Sequence, residues 1–302
     1  MITLINVILP IFLAAGVVAL SQRWLKLDTG TLSRASFHLF LPPLVFESLL
    51  NADLSKPEFG KIAFASVLVT LVLWGLGVLA ARLLHLERET RGVFLIALVL
   101  INAGNYGFPA VSFAFGDVGM PPATVFMLVN TMIVSTLGIY LVAQGKATAR
   151  MALRRLFKVP VLYACVLGVV INLIGLSVPE PCLKAIHLLS QAAVPASLAV
   201  LGLQLQQGFK RGWQLTQVRA LVVVILMRLV VSPWLAVWAS RWIGLQGLAG
   251  DVFVLDCALP SAVLITTLAG EFEADTSFAT LSVMATTLAS LLSVTLWLNW
   301  LF

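Results

Sequence analysis

The chain has 302 residues, 60% of them hydrophobic and 11% charged, with a formal net charge of +6 and a mean hydropathy of +1.03. Soluble domains carry about 25% charged residues, so water-soluble classes are excluded. The basic balance does not point to nucleic acid, because Lys and Arg are scattered through short polar stretches and form no single face.

About 20 consecutive apolar residues cross a bilayer. Hydropathy and helix breakers predict spans at Ile2–Leu20, Leu32–Leu50, Ile62–Leu84, Gly92–Phe115 and Ala123–Val142. A basic linker over 144–158 follows, expected on the cytoplasmic side. Five more spans are predicted at Val159–Leu176, Leu183–Leu205, Val218–Ile243, Asp251–Ala269 and Phe278–Leu301. The expected fold class is thus an all-α polytopic membrane protein with ten transmembrane helices, divided into units 1–143 and 159–302. No basic segment precedes the first apolar run, which is read as a span and not a signal peptide. Cys165, Cys182 and Cys257 show no CxxC spacing, and His38, His85 and His187 stand isolated, so neither a disulfide framework nor a metal site is expected.

Lys and Arg alternate between successive loops, as the positive-inside rule requires of a correct span assignment. With the N-terminus outside, the inner loops collect Arg23, Lys26, Arg34, Arg82, Arg88, Arg91, Lys146 to Lys158, Lys210, Arg211 and Arg219. The outer loops hold Lys56, Lys61, Lys184 and Arg241. Both termini are then outside, and the second half enters the membrane in the opposite sense to the first. That is an inverted repeat, supported by matching prolines: Pro43 with Pro195, and Pro109 with Pro260. Interrupted helices at corresponding positions point to a transporter site near the midplane.

Span 4 carries Asn102, Gly104, Asn105, Tyr106, Gly107 and Pro109 at its centre, and span 9 carries Asp256, Pro260 and Ser261. Proline removes a backbone donor and glycine permits non-helical dihedrals, so both helices should break and expose polar backbone. Such groups are costly in hydrocarbon and must face protein or a wet cavity. A single proline more often only kinks a membrane helix; the clustering and the matched partner favour a site. Arg228, at the centre of span 8, costs roughly 2.5 to 3.5 kcal/mol there and needs a partner. Asp256 or a substrate carboxylate would serve. The candidate substrate-binding residues are therefore Asn102, Gly104, Asn105, Tyr106, Gly107, Pro109, Arg228, Pro260 and Ser261, with Asp256 for ion coupling. Glu47 and Asn130 are further candidates; Asn130, Asn172, Gln191 and Gln204 equally fit interhelical hydrogen bonding.

The break ending in Pro109, the segment Leu259-Pro260-Ser261, the early Leu41-Pro42-Pro43-Leu44-Val45-Phe46 and the final Glu271-to-Ser293 stretch together resemble auxin efflux carriers. The resemblance implies two inverted five-helix repeats, a scaffold of spans 1, 2, 6 and 7, and a mobile unit of spans 3 to 5 and 8 to 10. It implies an elevator-type transporter of a small organic anion, auxin-like or a carboxylate such as malate or malonate, in a bacterial inner membrane. A homodimer through the scaffold and coupling to a proton or sodium ion fit the same picture. A sodium-coupled bile-acid-type symporter is the alternative. No HExxH, GxSxG or Walker A pattern is present, so no enzyme, catalytic residue or cofactor is expected, and no ring-forming segment suggests a channel.

Overall fold

The computed structural model describes residues 4–54, 56–143, 150, 154, 157–211 and 217–301. Most of the linker expected over 144–158 lies outside the described residues. Those described form an all-α membrane protein. Six helical stretches are long and apolar enough to cross a bilayer, namely Asn6–Leu25, Glu58–Leu83, Ala103–Ala143, Glu180–Gln207, Val218–Ile243 and Thr276–Leu301. Pro160–Ile174 is apolar but shorter.

The first half contains α1 (Leu9–Leu25), α2 (Thr29–Ala35), α3 (Leu41–Leu50), α4 (Glu58–Leu83), α5 (Arg88–Val99), α6 (Phe108–Phe115), α7 (Met120–Ile133) and α8 (Ile139–Ala143). The second contains α9 (Pro160–Ile174), α10 (Glu180–Gln191), α11 (Ala193–Arg211), α12 (Val218–Leu226), α13 (Ser232–Ile243), α14 (Gly247–Cys257), α15 (Leu264–Glu271) and α16 (Thr276–Leu301). Single π-helical turns join α2 to α3 at Ser36–Phe40, α7 to α8 at Val134–Gly138, and α12 to α13 at Met227–Val231. α6 ends at Gly116, where a 3₁₀ turn leads into α7; its φ of 66° is a conformation that glycine adopts without strain.

Helices in lipid gain little from burying apolar surface and associate through close packing of small residues. That is the case for the two most intimate pairs. α9 lies on α3, where a Cβ at Gly168 would stand 3.0 Å from the Phe46 carbonyl oxygen. α1 lies on α11, where Gly202 leaves no room for a Cβ against the Ala15 carbonyl oxygen. α4 packs against α5, α7 and α13, while α16 packs against α5, α12 and α15. The outer surface is apolar, with Leu13, Val17 and Leu20 of α1 and Trp234, Trp238 and Trp242 of α13 exposed. Polar and charged groups go inward instead: Arg228, Asp256, Ser261, Thr286 and Ser290 are all buried.

Candidate functional site at the helix crossing

Two helices break and meet at the breaks. α5 ends at Val99, and Leu100 turns extended at φ −89° and ψ 121°. Three residues later a π-helical turn, Ala103–Gly107, leads into α6. Pro109 sits in the first turn of α6, where a missing N–H costs nothing, so the break lies before the proline. α14 ends at Cys257, and Pro260 falls within the second break, ahead of α15.

The extended segments pair as a short antiparallel bridge between Ile101 and Ser261. The Asn102 N–H donates to the Pro260 carbonyl at 3.0 Å, and the Ala262 N–H to the Leu100 carbonyl at 2.9 Å. Each break also borrows side chains from the helix beside it. Asn130 of α7 donates Nδ2 to the Ile101 carbonyl at 3.0 Å and accepts the Ile101 N–H at 3.5 Å. Thr286 of α16 accepts the Ser261 N–H at 3.2 Å, and Ser261 Oγ donates to the Ala97 carbonyl at 2.7 Å. Backbone freed by the breaks is thus satisfied within protein, as membrane burial demands.

Arg228 lies in the π-helical turn between α12 and α13 and is 1% exposed. Its Nε donates to the Leu259 carbonyl at 3.0 Å, Nη1 to the Leu98 carbonyl at 2.8 Å, and Nη2 to the Cys257 carbonyl at 2.5 Å and to Ser232 Oγ at 2.8 Å. The Leu98 and Cys257 carbonyls lie at the C-terminal ends of α5 and α14, where helix dipoles concentrate partial negative charge, and the Leu259 carbonyl lies in the second break. One cation therefore neutralises two helix ends. The expected pairing with Asp256 is not how Arg228 is satisfied, since its hydrogen bonds go to these carbonyls and to Ser232.

The opposite ends, the N-termini of the second half-helices, open onto a cavity of about 520 Å³. Asn102, Gly104 and Asn105 line it from one break; Ala262, Val263 and Leu264 line it from the other. Asn130 and Gln204 add amides, Thr131, Ser135 and Thr267 add hydroxyls, and Arg34 and His38 add the basic groups. Among the described residues, no Asp or Glu lines it. The buried Nδ2 of Asn102 and Oε1 of Gln204 have no hydrogen-bond partner among the described residues, so each retains polar capacity at the cavity wall.

The remaining candidates lie elsewhere. Tyr106, Gly107, Pro109, Arg228, Asp256, Pro260 and Ser261 are buried behind the wall. Tyr106 receives a hydrogen bond from Ser290 Oγ at 3.1 Å. Asp256 lies against Gly107, where a Cβ would be 3.4 Å from Asp256 Oδ1, and its Oδ2 has no partner among the described residues. Glu47 faces the other end of α3, bonded to His187 Nδ1 at 2.7 Å and to Ser190 Oγ. Asn172 binds the carbonyls of Leu49, Leu50 and Ala52 and so acts as interhelical glue.

Arg34 and His38 were not among the sequence candidates. Arg34 lies two residues inside the predicted span 2 yet was grouped with the inner-loop charges; it sits on α2, which starts at Thr29 with Asp28 as its N-cap. The usable signal is their spacing, four residues apart and hence on one helix face. Asp28 accepts the Thr31 N–H at 2.7 Å and its hydroxyl at 2.6 Å, and Arg34 Nη2 donates to Thr31 Oγ1 at 3.1 Å. Those bonds from Thr31 hold the Asp28 carboxyl below the usual carboxylate range.

Residues 2–298 match the model of a family described as membrane transport protein. An uncharacterized transporter of Methanothermobacter thermautotrophicus is 31% identical over 278 residues, covering 89% of this chain and 88% of the relative. An uncharacterized transporter of Methanocaldococcus jannaschii is 26% identical over 277 residues, covering 88% and 87%. Both relatives are archaeal, whereas the sequence resemblance pointed to bacterial members. With its breaks, its crossing and nearly its whole length accounted for, the chain belongs to the membrane transport protein family, that of the auxin efflux carriers.

Proposed function

We propose that this transporter moves a small organic anion, bound in the cavity at the crossing. One observation carries the reading: two half-helix N-termini, several amides and Arg34 face a cavity that, among the described residues, no carboxylate lines. Helix N-termini carry partial positive charge and favour anions, and a guanidinium matches a carboxylate in two parallel hydrogen bonds. The predicted contacts are Asn102, Gly104 and Asn105, with Asn130 and Arg34; Arg228 holds the two breaks in register from behind. Asp256 is the proposed cation-coupling group, since a carboxyl that is 1% exposed, with one oxygen unpartnered, gains its missing partner when a proton or a sodium ion joins it.

The mechanism we infer is alternating access by an elevator motion over ten spans in two inverted repeats. Its support is the pairing of α1 with α11 and of α3 with α9, in which each half lends a helix to the other. Both termini outside, an inner-membrane location and a homodimer through spans 1, 2, 6 and 7 complete the reading. The test is uptake of labelled small carboxylates by proteoliposomes under imposed pH and sodium gradients. Saturable uptake that Asp256→Asn uncouples from the gradient supports the assignment; uptake of cations or neutral solutes instead would refute it.

A further inference from the structure

A second cavity, of about 500 Å³, lies between α1, α11 and α16 and is lined by Ala15, Gly16, Ala19 and Arg23 of α1, Leu205 of α11 and Leu288 of α16. We propose that it binds one anionic phospholipid, an acyl chain lying along the small residues of α1 and the phosphate meeting Arg23. The groove has a closed end and an open end. At Gly202 the two helices are in backbone contact with Ala15, and beyond that point a Cβ at Gly16 would meet nothing within 4 Å.

Its length fits one leaflet. From the closed end at Ala15 to Arg23 an α-helix rises about 12 Å, most of the about 15 Å of half a bilayer's hydrocarbon core. Its charge fits a phosphate. Arg23 is exposed in the last turn of α1 and makes no hydrogen bond or ion pair among the described residues. The nearest acidic side chain in sequence, Asp28, is engaged by Thr31. Trp24, 77% exposed next to Arg23, marks this level as the headgroup region, where amphipathic aromatic rings settle. Apolar floor, leaflet length and a basic group at the headgroup level are the features of a lipid site. The proposal rests on membrane residence and not on the transport reading.

The test uses the full chain reconstituted in vesicles of equal phosphatidylglycerol and phosphatidylcholine with identical acyl chains, re-extracted, with bound lipids counted by native mass spectrometry. The parent should retain phosphatidylglycerol over phosphatidylcholine by about fivefold, the effect of one basic group near a membrane surface. Arg23→Gln should bring the ratio near one, and Arg23→Lys should keep it. Gly16→Leu should lose the lipid with Arg23 intact, at an unchanged melting temperature. The proposal is overturned if the parent shows no preference, or if the preference survives Arg23→Gln. It is also overturned if inorganic phosphate displaces the lipid, or if Gly16→Leu abolishes a dimer while leaving lipid counts unchanged, which would assign the groove to a second copy.

Discussion

Arg228 reaches across 130 positions of sequence to donate Nη1 to the carbonyl of Leu98 at 2.8 Å, while its other nitrogens hold the Cys257 and Leu259 carbonyls. A residue that is costly in a bilayer is thereby spent on the two helix ends that most need a cation. Both breaks depend on the same side chain, so neither can move freely of the other.

Replacing Arg228 by Met strands the carbonyls of Leu98, Cys257 and Leu259. Hydrogen bonds to a charged group are worth about 1.5 to 3 kcal/mol each, so the variant should lose at least about 3 kcal/mol of stability. Arg228→Lys should rescue only part, because an ammonium does not reproduce the planar fork. Thermal melting in detergent checks this. An unaltered melt with a weakened substrate affinity would make Arg228 a substrate ligand instead.

A Cβ at Gly107 would stand 2.9 Å from Leu259 Cδ1, so the buried Leu259 side chain must shift to admit it, while Asp256 Oδ1 at 3.4 Å would be in ordinary contact. Overpacking of this kind costs about 1 to 3 kcal/mol. Gly107→Ala should therefore lower the melting temperature, whereas Gly104→Ala, whose Cβ meets only Leu41 at 4.0 Å, should not. Equal melts for the two variants would contradict the packing described at the crossing.

Asn130 substitutes for a strand partner of Ile101, using both ends of its amide. Asn130→Leu leaves a buried N–H and a carbonyl unpaired, a loss of about 1 to 3 kcal/mol for each group. Hydrogen exchange at the Ile101 and Asn102 amides should rise in this variant. Exchange as slow as in the parent would show that the amide is dispensable.

Asp28 positions Thr31 and, through it, Arg34. Its carboxyl is held below the usual range by the hydroxyl and N–H of Thr31. A depressed carboxylate contributes above its unfolded pKa and is lost as pH falls through the lower folded value. The cap should thus persist from neutral pH down through about pH 4. Asp28→Ala, which removes the acceptor, should weaken substrate affinity over that whole interval, while Asp28→Asn, which keeps it, should largely retain affinity; an effect of Asp28→Ala confined to pH above 6 would contradict this order.

Much of the architecture was legible because lipid demands long apolar helices and punishes exposed backbone. Asn102, Gly107 and Pro260 announced breaks for that reason. The exact place of the first break did not follow from its proline, since Pro109 is harmless in the first turn of α6, and the extended residues lie before it. The partners of Arg228 were hidden for a different reason. Backbone carbonyls leave no mark in a sequence, so the visible acid, Asp256, was the natural but wrong choice of partner. Arg34 was missed because a basic residue two positions inside the end of a span reads as an inner-face charge, and hydropathy does not show that its helix face turns to the cavity.

The most direct test of anion binding at the crossing is equilibrium binding of labelled small carboxylates to the purified protein and to Arg34→Gln and Asn105→Ala, with melting measured in parallel. The expected result is saturable binding in the parent, weakened at least about tenfold in Arg34→Gln, as the loss of a charge-assisted contact implies, at unchanged melting temperatures. Carboxylate binding of undiminished affinity in both variants would contradict it.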